Sequence, residues 1–142
     1  MAEPILKWAG GKRQLLDALY DRFPESYDRY HEPFVGGGAV FFDLEPDAGS
    51  INDTNPRLVS LYERVRDEPE RLIERLESFD DPESEPDPSR PYAETTHRGR
   101  EVDAYYYQQR ARFNDRPYTG EYDPLEEAAV LIYLNQPCDN GR

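Results

Sequence analysis

Glu32-Pro33-Phe34-Val35-Gly36-Gly37-Gly38-Ala39-Val40-Phe41-Phe42-Asp43-Leu44 is the stretch on which the reading of this chain turns. Arg29–Phe34 has the composition of a strand, it runs into three successive glycines, and Ala39–Leu44 is apolar enough for a helix buried against a sheet. Gly49–Asp53 reads as a second short strand. Asn55-Pro56 then supplies a cap and a first-turn proline for a further helix carrying Leu58, Val59, Leu61, Tyr62 and Val65 on its inner side. Strand, helix, strand, helix in this order predicts a parallel sheet with crossover helices. Glycines between strand and helix let bare backbone approach a ligand. Asp53 ends the next strand, where an acid in a nucleotide-binding fold accepts hydrogen bonds from ribose hydroxyls. The simpler alternative is that the glycines only make a tight turn and Asp53 only caps the following helix.

Upstream, Ile5-Leu6-Lys7-Trp8 reads as an edge strand or extended entry, turned by Gly10-Gly11 into a helix over Arg13–Phe23. Leu15, Leu16, Leu19, Tyr20 and Phe23 recur there at three- and four-residue spacing, and Pro24 closes the run. In Trp8-Ala9-Gly10-Gly11-Lys12 an aromatic, two flexible residues and a cation lie within five positions. Such a group can stack on a flat ring while holding a carboxylate. Singly, Trp8 also suits a core anchor and Lys12 a solvated lysine. A lysine at a helix start opposes the macrodipole, so a compensating anion is expected beside it. Two phosphate-binding motifs are excluded. A dinucleotide fingerprint needs a small residue where Phe41 stands, and a Walker loop needs glycine at Leu6 and Ser or Thr at Arg13.

From Glu68 the character changes. Glu70–Phe79 places Leu72, Ile73, Leu76 and Phe79 on one helical face. Asp80–Pro91, with four prolines and five acids, reads as an exposed loop. Glu101–Phe113 and Pro124–Leu134 are further helices, the latter started by Asp123-Pro124. No strand pattern recurs in this half, and it reads as a helical insert.

Thirty acidic residues oppose 17 basic ones, a formal charge of −13, and only Lys7 and Lys12 are lysines. On its face such a balance repels nucleic acid, whose binding depends on neutralised phosphates. Eighteen aromatic residues argue against a disordered acidic chain. Acid excess with few lysines fits a halophilic, high-salt cytoplasm, where a Debye length of ~3 Å confines charge effects to contact distance. Local arginine contacts to DNA then remain possible. No apolar run approaches the ~18 residues of a membrane span, and none reads as a signal peptide. The single Cys138 forms no internal disulfide, so a cytoplasmic location is expected. No metal-ligand pattern is found.

Lys7-Trp8-Ala9-Gly10-Gly11-Lys12, then Glu32-Pro33-Phe34-Val35-Gly36-Gly37-Gly38, then Asn52-Asp53, resembles the Dam-like DNA adenine-N6 methyltransferases in order and spacing. The similarity continues through Tyr107–Asn114 and Val130–Gly141, where Tyr133-Leu134-Asn135 with Cys138, Asn140 and Gly141 is similar to the segment before a DNA-contacting hairpin. It covers nearly the whole chain. The resemblance implies a Rossmann-like α/β fold, S-adenosylmethionine as cofactor and double-stranded DNA as partner. It also implies cofactor contacts from Trp8, Gly10, Gly11, Lys12, Phe34, Gly36, Gly38 and Asp53, with Asn135 and Asn140 on the DNA side. Gln136, Asp139 and Arg142 depart from the family pattern, standing where a basic, an aromatic and an aliphatic residue are usual.

The family's Asp-Pro-Pro-Tyr motif, which holds the flipped adenine, is not found. Asp115-Arg116-Pro117-Tyr118 has arginine in place of the first proline and lies upstream of the Tyr-Leu-Asn segment, so no catalytic residue is assigned. The expectation is therefore an N-terminal portion of a restriction-modification type enzyme, inactive alone, with a second chain as one source of the remainder. Residues 1–66 are assigned to the cofactor domain and 67–142 to an incomplete target-recognition insert. The rival readings are a non-catalytic nucleotide-binding or regulatory module, and an acidic interaction protein.

Overall fold

The computed structural model describes residues 2–80, 88, 96–97, 100–101, 103–119 and 123–136. They fall into two compact units, one through Val59 and one from Ser60, the boundary lying within a helix.

In the first unit a 3-10 turn, Lys12–Leu15, leads into α1, Leu16–Tyr20. This is shorter than the helix to Phe23 that apolar spacing predicts. The amides of Arg22 and Phe23 bond to carbonyls three residues back, tightening the chain out of helical register. Phe23 then turns its ring against Tyr20 and Tyr30, with centroids 5.4 and 6.3 Å away. The hydroxyl of Tyr20 donates to Asp43 at 2.5 Å. Burial first, then that hydrogen bond, pushes the phenol up to about 12. Ile5–Trp8 is not a strand but a bent segment in which Leu6 is buried.

Strand β1, Tyr30–Glu32, and β2, Gly49–Ile51, pair in parallel across helix α2, Ala39–Leu44. The expected strand–helix–strand order is present, with strands of three residues where six and five were expected. Pro33 has no amide to donate, which ends β1. Pairing still continues past it, because Asn52 N–H donates to Glu32 O and Val35 N–H to Asn52 O.

Helix α3, Pro56–Asp67, begins where Asn55-Pro56 predicts, and Asn55 Oδ1 accepts from Arg57 N–H at 3.0 Å. Leu58, Leu61 and Tyr62 are its buried positions. In the second unit, α4 is Pro69–Glu77, α5 is Ala104–Thr119 and α6 is Pro124–Asn135. The apolar period of α5 stops at Phe113, yet the helix continues to Thr119, even though Pro117 has no amide to donate to it. Asp115-Arg116-Pro117-Tyr118 accordingly lies in its last turns. Two residue pairs, β3 Thr96–His97 and β4 Arg100–Glu101, run antiparallel. No strand was expected there; two residues are too few for an alternation to register. The Asp80–Pro91 loop lies almost wholly outside the described residues.

Helix α6 is the core of this unit, with Glu127–Val130, Ile132 and Leu134 all buried. Asp123 caps it, accepting from Leu125 and Glu126 amides at 3.0 and 3.4 Å. Phe79 stacks on Tyr133 at 4.7 Å, Tyr105 meets Tyr133 edge-on at 6.1 Å, and the Arg75 guanidinium covers Phe79 at 4.1 Å. Arg75 also grips Glu126 through two nitrogens, at 2.6 and 2.8 Å. Among the described residues no helix is long and apolar enough to cross a membrane.

Candidate functional site

The turn after β1 is where backbone geometry demands glycine. Gly36 and Gly38 have φ of 53° and 80°, the latter at the cap position of α2. Gly37 is ordinary in φ, but a Cβ there would sit 2.7 Å from the Leu6 carbonyl oxygen and 3.2 Å from Trp8 Cβ. The triple glycine therefore lets the Leu6–Trp8 segment lie directly on the turn. Trp8 follows it: an added Cβ on Gly36 would be 3.4 Å from the indole Cδ1.

This approach forms a cleft of about 230 Å³ lined by Trp8–Lys12, Phe34–Gly37, Ala39 and Asp53. Seven of the expected cofactor residues share it: Trp8, Gly10, Gly11, Lys12, Phe34, Gly36 and Asp53. Gly38 is not in the lining; its amide is donated to the Val35 carbonyl at 2.9 Å and it closes the turn. Asn135 ends α6 in the other unit, and Asn140 lies outside the described residues.

Asp53 faces the glycine turn. Its Oδ2 accepts the Gly36 amide at 3.0 Å and its Oδ1 the Asn55 amide at 2.9 Å. These bonds, Asn55's first, outweigh desolvation and hold the carboxyl below the usual carboxylate range, with the Lys12 charge adding to the effect. The carboxylate is thus ionised and fixed, with lone pairs left for further donors. Both parts of the sequence reading meet in it, because Asp53 binds the turn before α3 and also fronts the cleft. The Gly36 and Gly38 amides, by contrast, are donated within the protein. The bare loop offers close approach here, and those two amides are already committed.

The anion expected beside Lys12 is Glu32, whose partnership sequence reasoning did not assign. Glu32 is 6 % exposed, and its Oε1 lies 2.9 Å from Lys12 Nζ. Its Oε2 accepts the Tyr30 hydroxyl at 2.9 Å. Burial first, then that hydrogen bond, raises the Tyr30 phenol and keeps it a donor. Lys12 Nζ also donates to the Phe34 carbonyl, while the Phe34 ring stands 62 % exposed at the cleft. The unfavourable lysine at a helix start signalled an anion nearby and not which acid supplies it. A fixed anion, a paired cation and an indole around one cleft can together receive hydroxyls, a carboxylate and a flat ring.

Residues 8–142 match the family described as D12 class N6 adenine-specific DNA methyltransferase. The chain belongs to that family. It is similar to a Type II methyltransferase of Lactococcus lactis subsp. cremoris, 36 % identical over 97 % of this chain and 42 % of the relative. A Type II methyltransferase of Methanocaldococcus jannaschii is 34 % identical over 98 % of this chain and 47 % of its own length. The DNA adenine methylase of Haemophilus influenzae is 33 % identical over 97 % and 41 %. The chain thus spans less than half the length of these relatives.

Proposed function

We propose that this chain supplies the cofactor-binding part of a site-specific DNA adenine-N6 methyltransferase, built on a Rossmann-like sheet, with S-adenosylmethionine in the cleft and double-stranded DNA as the substrate of the whole enzyme. The observation that carries the reading is the convergence of Trp8 and Lys12, of Phe34–Gly37, and of Asp53, from three separate segments, on one cleft at the glycine turn. The donor set fits the ligand. The Asp53 carboxylate keeps lone pairs for a ribose diol, the Trp8 indole offers a flat face, and Lys12 a cation for a carboxylate. At about 230 Å³ the cleft is below the ~300–1,000 Å³ of typical small-molecule sites, so these residues form one side of a larger site.

S-adenosylmethionine, when bound, supplies a methyl group activated on a sulfonium. This chain's residues bind and orient. Asp53, held rigid by two amides, fixes the ribose end, and the glycine turn allows the ligand to lie against backbone. No Asp-Pro-Pro-Tyr occurs among the 142 residues, so the proposal assigns them the cofactor and not the flipped base. Acid excess supports a high-salt cell, and the likeness to Type II methyltransferases supports a restriction-modification role.

Calorimetric titration with S-adenosylmethionine in molar salt tests the reading. Asp53→Ala removes two acceptors, each hydrogen bond being worth ~0.5–1.5 kcal/mol and more when charge-assisted. An affinity at least about tenfold weaker than wild type is expected, which is ~1.4 kcal/mol. Equal affinity in the two proteins would remove Asp53 from the site.

A further inference from the structure

Glu32 is a buried acid outside the cleft lining that bonds to the lining residue Lys12, and nothing in the proposed chemistry uses it directly. Both its oxygens are engaged, one by the Lys12 ammonium and one by the Tyr30 hydroxyl. Lys12 is in turn held from two sides, by Glu32 at the end of β1 and by the Phe34 carbonyl two residues further on. An ammonium has three N–H donors, so this arrangement leaves one for a ligand. An unanchored lysine at a cleft edge would lose its side-chain freedom on binding, a cost that the folded protein has here already met.

We infer that Glu32 is a positioning residue: acting through Lys12, and steadied by Tyr30, it aims one N–H of the ammonium at the carboxylate end of the ligand. The inference rests on the reading that the cleft takes S-adenosylmethionine, and it concerns only the amino-acid half of that ligand. Adenosine, which lacks that half, is insensitive to it.

Titrations of wild type, Glu32→Gln, Lys12→Met and the double variant with S-adenosylmethionine and with adenosine separate the possibilities. Glu32→Gln should weaken S-adenosylmethionine about tenfold, since hydrogen bonds to charged groups are the strong ones, and change adenosine less than about twofold. The double variant should bind no more weakly than Lys12→Met alone, because Glu32 acts through the lysine. Loss of both ligands in parallel would make Glu32 merely structural and overturn the inference. So would full affinity in Glu32→Gln alongside weakened binding in Lys12→Met, an outcome that leaves the cleft reading standing. Unchanged affinity in Lys12→Met, or no binding by wild type, would strike the cleft reading itself and this inference with it. Should Glu32→Gln fail to fold, Tyr30→Phe releases only the second carboxylate oxygen. It should weaken S-adenosylmethionine about two- to threefold and spare adenosine; no change in either would also overturn the inference.

Discussion

Within each of the two units a different kind of force holds the chain folded. Through Val59 the chain has strands of three residues and helices of five and six, too short to stand alone. Side chains that reach distant backbone tie them, as Asp53 does to Gly36 and Lys12 to Phe34. From Ser60 onward, helices of up to 16 residues pack around an apolar α6 and an aromatic stack. Polar groups that hold the first unit also line its cleft, so stability and binding are tied to the same atoms there. In the second unit, stability resides in a core that no cleft residue shares.

The strongest challenge to this contrast is Phe79→Ala. It removes a ring stacked on Tyr133 and covered by Arg75, and should cost ~3–5 kcal/mol in a urea melt. A loss under about 1 kcal/mol would mean that the aromatic stack is not what holds the second unit. Next comes the Lys12–Glu32 pair, whose members differ in exposure, 34 % against 6 %. Lys12→Met strands a buried carboxylate and should cost ~2–3 kcal/mol, below the full value for a buried pair because the lysine is a third exposed. Glu32→Gln leaves a lysine that reaches water and should cost less, and the double variant should be more stable than Lys12→Met. Equal losses in the two single variants would show that burial does not set the asymmetry.

Salt acts on the whole chain. With −13 charges, self-repulsion weakens the compact state at low ionic strength, so the melting midpoint should rise along a salt series. A flat series would remove the high-salt reading and restore the conflict between acidity and DNA. The smallest effect is that of acid on Asp53. Its folded pKa lies below the unfolded value of ~3.9. Its contribution is therefore present above about pH 4 and lost as pH falls through the folded pKa. Asp53→Asn should flatten the acid side of the stability–pH curve slightly, and identical slopes would mean that its amide bonds are not formed in solution.

Element order was legible wherever a local rule governs it. Asn55-Pro56 and Asp123-Pro124 announced their helices because caps and first-turn prolines act within four residues. The glycine run between β1 and α2 was readable for the same reason, since positive φ at Gly36 and Gly38 is a local demand. Lengths were less legible. Pro33 ended β1 early, α1 yielded to a tight turn so that Phe23 could meet two tyrosines, and α5 ran past its apolar period.

Residue types, their order and the need for an anion near Lys12 followed from the chain alone, because propensity, capping and charge are properties of neighbours. Which acid answered that need depended on β1 and the Lys12 turn meeting across 20 residues, and there Glu32 was chosen. Likewise, only packing made the Gly36 amide a partner of Asp53 and left Gly38 out of the cleft lining. Such contacts join residues far apart in sequence, and no local preference encodes a distance that arises only when the segments close on one another.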